Sequence, residues 1–398
     1  MADLGAVLKV ARPRALAALR RFSGNLERAE DAFQDAAEKA LQRWPDDGVP
    51  DNPTGWLITT GKRLLIDQAR RAKFELDVDI DAAAEDSPPD TSSLDDDVLR
   101  LIFTCCHPAL SDDAQVALTL KVIAGLSSED VAQAFLVPVR TMEQRLNRAR
   151  SKIRNAGIPF RIPDDSELAE RLTGVLGTLY LIFNQGYSAR RDALTDARVC
   201  GEAIWLARLV RRLFPGHAEA GGLLALMLLH HSRHQARVAA DGTPVRLMDQ
   251  DRSAWQADLV DEGRALLQTV MAQHQPGPYQ TQAAIAALHC AAGDIDWPQI
   301  AALYAILEQQ MPSTVVSVNR AVALTEAGRA DIATTLLRAV AKAPGVADYA
   351  PYHLALSNTA QATGDLTTAK QALHTAITLT PNDTERAFLA ERLAQLKD

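Results

Sequence analysis

The stretch Glu129–Arg154, EDVAQAFLVPVRTMEQRLNRARSKIR, sets the reading of this chain. It reads as a helix, a tight turn at Leu136-Val137-Pro138, and a second helix carrying Arg140, Thr141, Gln144, Arg145, Arg148 and Arg150. Seven basic residues and one acid, Glu143, lie between Arg140 and Arg161, on a chain whose formal net charge is −8. A dense basic stripe on an acidic protein fits a recognition helix lying in the DNA major groove. The competing reading is a solvated basic helix on the surface.

Composition bounds the rest. At ~150 residues per domain, 398 residues imply two or three domains. A hydrophobic content of 47% is ample for buried cores. Few aromatics and abundant alanine favour helices over strands, so an all-α fold is expected. No apolar run approaches the ~20 residues that span a membrane. Apolar residues at the N-terminus are interrupted by Lys9, Arg12 and Arg14, unlike a signal peptide, so a cytoplasmic chain is expected. Four cysteines are too few for a disulfide framework. Cys105-Cys106-His107 has no second pair at zinc spacing and reads as a buried helix end; Cys200 and Cys290 read as core. With no nucleotide-binding glycine loop and no triad spacing, no cofactor, metal or catalytic residue is expected, and the chain does not read as an enzyme.

Residues 1–75 are helical and mixed in charge. Glu75 to Asp97 holds ten acids, no base and the pair Pro88-Pro89, the composition of a flexible acidic linker, set at 76–97. Helical periodicity resumes at Val98, and Gly157, Pro159 and Pro163 close a block at 98–163. A helical connecting domain is expected over 164–278. From 279 to 398 the chain repeats: Gly293-Asp294, Gly328-Arg329 and Gly364-Asp365 recur at near-constant spacing. Ala369, Ala376 and Pro381 after Gly364, and Ala333 after Gly328, take the small-residue and proline positions of a tetratricopeptide repeat. The Gly293 unit departs from that pattern through Asp296-Trp297-Pro298. Such arrays form extended binding surfaces.

Between Ala29 and Trp44 one helical face carries Ala29, Phe33, Ala36, Ala37, Ala40 and Trp44, and another carries Asp31, Gln34, Asp35 and Glu38. On its own the acidic stripe reads as a solvated face. A polar loop, Pro45 to Asn52, then leads through Pro53-Thr54-Gly55-Trp56-Leu57 into a basic helix with Lys62, Arg63, Arg70, Arg71 and Lys73.

An acidic helix, a loop, a basic helix, an acidic linker and a helix-turn-helix, in that order, resemble the sigma-70 family of bacterial transcription initiation factors, in its small extracytoplasmic-function type. AEDAFQDA (Ala29 to Ala36) looks like region 2.2, WLITTGKRLLIDQARR (Trp56 to Arg71) like regions 2.3 and 2.4, and the helix-turn-helix like region 4.2. GVPDNPTGWL, FTCCHPAL, FLVP, YLIFNQGY, QDRSAW and GPYQTQAAIAA extend the likeness to the branch with a long C-terminal tetratricopeptide extension. Ser111-Asp112-Asp113 departs from the Leu-Pro that many members carry before region 4.

The resemblance implies core RNA polymerase, through its β′ clamp and β flap, and promoter DNA as partners. It implies that Asp31, Gln34, Asp35 and Glu38 meet the polymerase. Asn52 would contact a flipped −10 base, with Lys62, Arg63, Arg70 and Arg71 on the backbone. Arg140, Thr141, Gln144 and Arg145 would face the base edges of the −35 element. Arg148, with Arg150 and Lys152 further along, would hold phosphate. Trp56 reads as core in preference to a stacking platform. A regulatory protein or ligand on the C-terminal repeats is implied as well. In that extension, His230, His231 and His234 include an i, i+4 pair, but without acidic neighbours they read as structural; Arg246, Asp249, Asp251 and Arg252 with Trp255 read as a salt-bridge knot. The alternatives are a helix-turn-helix regulator with a repeat-type sensor, a repeat scaffold, and an enzyme hidden in residues 165–290.

Overall fold

Asn25 fixes the start of the helix that carries the acidic stripe: its side chain accepts the Arg28 N–H at 3.2 Å, satisfying a donor that the first turn leaves unpaired. In the computed structural model, residues 4–76, 91–135, 137–187, 196–239, 243–291 and 293–396 are described, with backbone alone at 71–76 and 91–93. They form eighteen α-helices and, among the described residues, no strand beyond a single bridge between Val238 and Pro244. The fold is all-α, as composition predicts. The chain divides into two compact units, Met1–Ile182 and Phe183–Asp398.

In the first unit, α1 (Leu4–Ser23), α2 (Leu26–Asp47) and α3 (Pro53–Leu76) pack on one another, and α4 (Thr91–Cys105) packs on α1. Leu16, Leu19, Ala29, Phe33, Ala36, Trp44, Leu57 and Ile58 fill the space between the first three. Gly61 lets α3 approach its neighbours: a Cβ there would lie 2.8 Å from a Leu19 methyl and 3.4 Å from the Ala32 carbonyl. α5 (Asp112–Leu118) runs on into a π turn, Thr119–Ile123, and is followed by α6 (Ser128–Ala134) and α7 (Val139–Asn155). A reciprocal capping box between Ser127 and Asp130 starts α6. The apolar stripe Met142, Leu146, Ala149 and Ile153 seats α7. Of the turn expected at Leu136-Val137-Pro138, Leu136 lies outside the described residues, while Val137 donates to the Ala132 carbonyl at 3.1 Å.

Two boundaries differ from the sequence reading. The acidic linker was expected to reach residue 97, yet the chain is already helical at Thr91; Asp95 pairs with Arg14 at 2.7 Å, and the fully buried Asp97 lies 3.3 Å from Arg21 and 2.8 Å from Arg100. Arg14 and Arg21, distant in sequence, and the neighbouring Arg100 thus supply the charge compensation that the acidic run itself lacks. Residues 77–90 of that linker lie outside the described residues. The first unit also continues past 163. In α8 (Asp165–Tyr187), Arg171 donates to the Phe103 carbonyl at 2.7 Å and Thr178 to Gln115 Oε1 at 2.9 Å.

In the second unit, α10 (Ala218–His231) is buried along nearly its whole length among α9 (Ala197–Leu213), α11 (Ala257–Met271) and α12 (Pro278–His289). It is apolar on every face, as a fully enclosed helix must be. Then come α13 (Trp297–Gln310), α14 (Thr314–Glu326), α15 (Ala330–Val340), α16 (Ala350–Ala362), α17 (Leu366–Leu379) and α18 (Asp383–Gln395). Gly293, Gly328 and Gly364 turn the chain between α12 and α13, α14 and α15, and α16 and α17, with φ of 84°, 75° and 81°. Glycine adopts this left-handed backbone without steric cost. Ala333, Ala369 and Ala376 are fully buried where paired helices meet, and a continuous core runs from Ile285 through Leu307, Val318 and Leu337 to Tyr352 and Ala355.

Candidate nucleic-acid and partner interface

The acidic face of α2 is open. Asp31, Gln34 and Glu38 are exposed and Asp35 is half-buried, on the side opposite Ala29, Phe33, Ala36 and Ala40. Among the described residues none of the four forms an ion pair, and Glu38 only accepts from Gln42 at 3.4 Å. A row of exposed acids on a rigid, internally packed helix can meet a basic partner without first breaking a bond.

The loop after α2 ends at Asn52, which caps α3: its side-chain oxygen accepts the Gly55 N–H at 2.9 Å and its carbonyl the Trp56 N–H at 3.1 Å. Asn52 itself is exposed. Trp56 packs edge-on against buried Trp44, ring centroids 5.4 Å apart, and is half-buried. Lys62 lies 5.5 Å from the Phe22 ring centroid. Arg63 and Arg70, seven residues apart, are both exposed; the side chain of Arg71 lies outside the described residues.

On α7, Arg140, Thr141, Gln144 and Arg148 are exposed, on the side of the helix away from the Met142–Ile153 stripe. Their guanidinium, hydroxyl and amide groups present donors and acceptors that fit base edges and phosphates. Arg145 differs from its neighbours. It is half-buried, 2.9 Å from Asp113 and 5.2 Å from the Phe135 ring. The acid that holds it belongs to Ser111-Asp112-Asp113, the segment where the sequence departs from the resembled pattern.

Arg150 requires a correction. The sequence reading put it on phosphate, but it faces α2: Nε and the terminal NH2 donate to Glu30 Oε2 and Oε1 at 3.0 and 3.2 Å. These two side chains are only 15% and 12% exposed. Arg154 pairs with Glu27 at 2.9 Å. Arg12 completes the junction by donating to the carbonyls of Val122 at 3.0 Å and Lys121 at 3.3 Å while lying 4.8 Å from the Phe33 ring. The helix-turn-helix is therefore docked on the α1–α3 bundle through the C-terminal half of α7, and its N-terminal half stays free. Sequence periodicity could not reveal Arg12, Glu27 or Glu30 as junction residues.

The remaining chemistry-bearing residues are structural or dispersed. Burial pushes the thiols of Cys105 and Cys106 up, away from thiolate reactivity. His231 and His234 stack at 4.5 Å, while His230 turns to Tyr187, its Nδ1 3.1 Å from the hydroxyl. Among the described residues no group of three or more His, Cys, Asp or Glu is placed to hold a metal. No helix is long and apolar enough to cross a membrane among those residues. The expected charged knot is two separate sites: Arg246 pairs with Asp249 at 2.6 Å, and Arg252 lies 5.2 Å from the Trp255 ring.

Comparison with known proteins matches residues 9–75 to sigma-70 region 2 and residues 100–153 to sigma-70, region 4. Residues 171–271 match a family of unknown function (DUF6596). An uncharacterized protein of Rhizobium meliloti is 40% identical over 412 residues, covering 100% of this chain and 97% of its own. The ECF RNA polymerase sigma factor EcfG of Rhodopseudomonas palustris is 31% identical over 147 residues, 35% of this chain and 78% of its own. The probable ECF RNA polymerase sigma factor SigI of Mycobacterium tuberculosis is 29% identical over 196 residues, 46% of this chain and 67% of its own. No solved structure matches the chain.

Proposed function

Because the chain belongs to the sigma-70 family, among its extracytoplasmic-function sigma factors, we propose that it recruits core RNA polymerase through α2 and directs it to two promoter elements through α3 and α7. The observation that carries this reading is the pairing of two open faces in one unit. Asp31, Gln34 and Glu38 are exposed and Asp35 is half-buried on one face of α2, and Arg140, Thr141, Gln144 and Arg148 are exposed on α7. The acidic face suits the β′ clamp and sets partner choice and encounter rate. Arg140 and Gln144 read −35 bases, and Arg148 anchors phosphate. Asn52, Lys62, Arg63, Arg70 and Arg71 serve the −10 element, and the polymerase performs all of the chemistry. In this scheme the junction of Arg150 and Glu30 holds the two DNA-reading regions together before promoter engagement.

The second unit regulates the first, and its helix pairs act as a tetratricopeptide-like binding surface. Support comes from its independent core and from the full-length likeness to the Rhizobium meliloti protein, which includes the extension. Run-off transcription from fragmented genomic DNA, with core polymerase plus the full chain or residues 1–182, tests both parts. New start sites that depend on the chain support the sigma reading. Equal activity of the two forms under all conditions contradicts a regulatory second unit.

A further inference from the structure

The second unit holds a group of cations that no carboxylate answers among the described residues. Arg233 is 6% exposed and forms no ion pair among the described residues. Its terminal nitrogen lies 3.4 Å from the Tyr187 hydroxyl and 3.4 Å from His230 Nδ1. Arg237 lies 3.8 Å from the Tyr187 ring centroid and donates to the Tyr187 carbonyl at 2.8 Å. Trp255 has two guanidinium groups near its ring, Arg233 at 5.7 Å and Arg252 at 5.2 Å. Arg264 reaches only a carbonyl, that of Ala287 at 3.4 Å. Asp251, next in sequence to Arg252, accepts from the backbone and hydroxyl of Ser253.

Two obligate donors are among the buried polar atoms left over. Arg233 Nε, Trp255 Nε1 and His289 Nδ1 are buried and make no hydrogen bond. Arginine and the indole N–H can only donate. A buried donor without an acceptor is costly, and native proteins rarely leave several together. Arginines add to burial in keeping the two imidazoles here neutral. Burial, then Arg233, Arg237 and His289, hold the His230 imidazole well below its ordinary range, and burial followed by Arg233 holds His289 at about 4. The group is not sealed: Tyr187, His230, Arg237, Trp255 and His289 are half-buried, and Arg252 is exposed.

We infer that Arg233, Arg252 and Trp255 form a binding site for the oxyanion group, carboxylate or phosphate, of a small molecule. Arg252 donates to the Ala291 carbonyl through one terminal nitrogen, whereas an oxyanion brings the negative charge that both guanidinium groups lack and an acceptor for Arg233 Nε and Trp255 Nε1; a guanidinium fork matches its geometry. The recessed position of Arg233 suits a compact anion better than a polymer backbone, which is tracked by an open basic groove. This inference concerns binding alone and stands independently of the promoter reading.

Isothermal titration of the full chain with inorganic phosphate and, separately, citrate tests it, with ionic strength held constant by sodium chloride. The expected result is saturable one-to-one binding of at least one anion with a Kd of about 1 mM or tighter. R252Q, a change at an exposed side chain, weakens it about tenfold, and R233Q removes it, with circular dichroism confirming that both variants stay folded. Preference for phosphate or for citrate identifies the kind of natural ligand. No saturable binding of either anion, or binding that R252Q leaves unchanged, overturns the site. So does binding confined to oligonucleotides, which assigns the cations to nucleic-acid phosphate instead.

Discussion

Arg150 on α7 and Glu30 on α2, 120 residues apart in sequence, form a two-bonded ion pair at 3.0 and 3.2 Å. The pair is nearly buried, so removing one partner leaves the other desolvated and unanswered. E30Q should therefore destabilise the first unit by about 2–3 kcal/mol, and E30M/R150M should recover much of that loss because no charge stays buried. Urea unfolding of the single and double variants measures both values. Equal stability of E30Q and the parent would mean that the pair contributes nothing.

On the proposed promoter reading, the exposed residues of α7 would make two kinds of contact. R140A and Q144A should each weaken binding to a cognate −35 duplex by about 1–3 kcal/mol and relax base preference. R148A should weaken all sequences alike and lower the salt slope by about one. R145A should alter unit stability as well as DNA binding, because Arg145 also holds Asp113 and covers Phe135. Fluorescence anisotropy across a salt series separates these behaviours.

Gly61 offers a test of the packing. G61A places a methyl 2.8–2.9 Å from the Leu19 methyls and 3.4 Å from the Ala32 carbonyl. Overpacking of this kind costs about 1–3 kcal/mol, whereas alanine in an open helix would stabilise. A lowered thermal midpoint with unchanged far-ultraviolet dichroism is expected.

The second unit should lose stability on mild acidification. Burial, reinforced by His234, holds the His231 imidazole at about 4, and His289 is held at about 4 by burial and Arg233. Both folded values lie below the ordinary value of 6.5. The unfolded chain therefore takes up protons first as pH falls, and the folded state is penalised. Stability from these groups is complete above about pH 6.5 and is lost progressively toward pH 4. Unfolding midpoints between pH 7 and 4.5 measure the slope, which H289N should reduce.

The helices were legible because their signals are local. The Met142, Leu146, Ala149, Ile153 period seats α7 as its spacing implies, and Gly293, Gly328 and Gly364 punctuate the paired helices. The open acidic face of α2 also followed from periodicity. What the pattern could not supply were partners distant in sequence. Glu30 answers Arg150, Arg14 and Arg21 answer the acids of α4, and Arg12 caps the turn at Lys121 and Val122. Those contacts draw α4 back into residues assigned to a linker and turn Arg150 away from DNA. The cation cluster around Arg233 escaped for the same reason, since Tyr187, Trp255 and His289 converge only in three dimensions.

The most direct measurement is equilibrium binding of bacterial core RNA polymerase to residues 1–182, to the full chain, and to each carrying Q34A/D35A. The account predicts that residues 1–182 bind and that the double variant weakens binding about tenfold or more through loss of the α2 contact. Failure of residues 1–182 to bind, or binding that Q34A/D35A leaves unchanged, would contradict it.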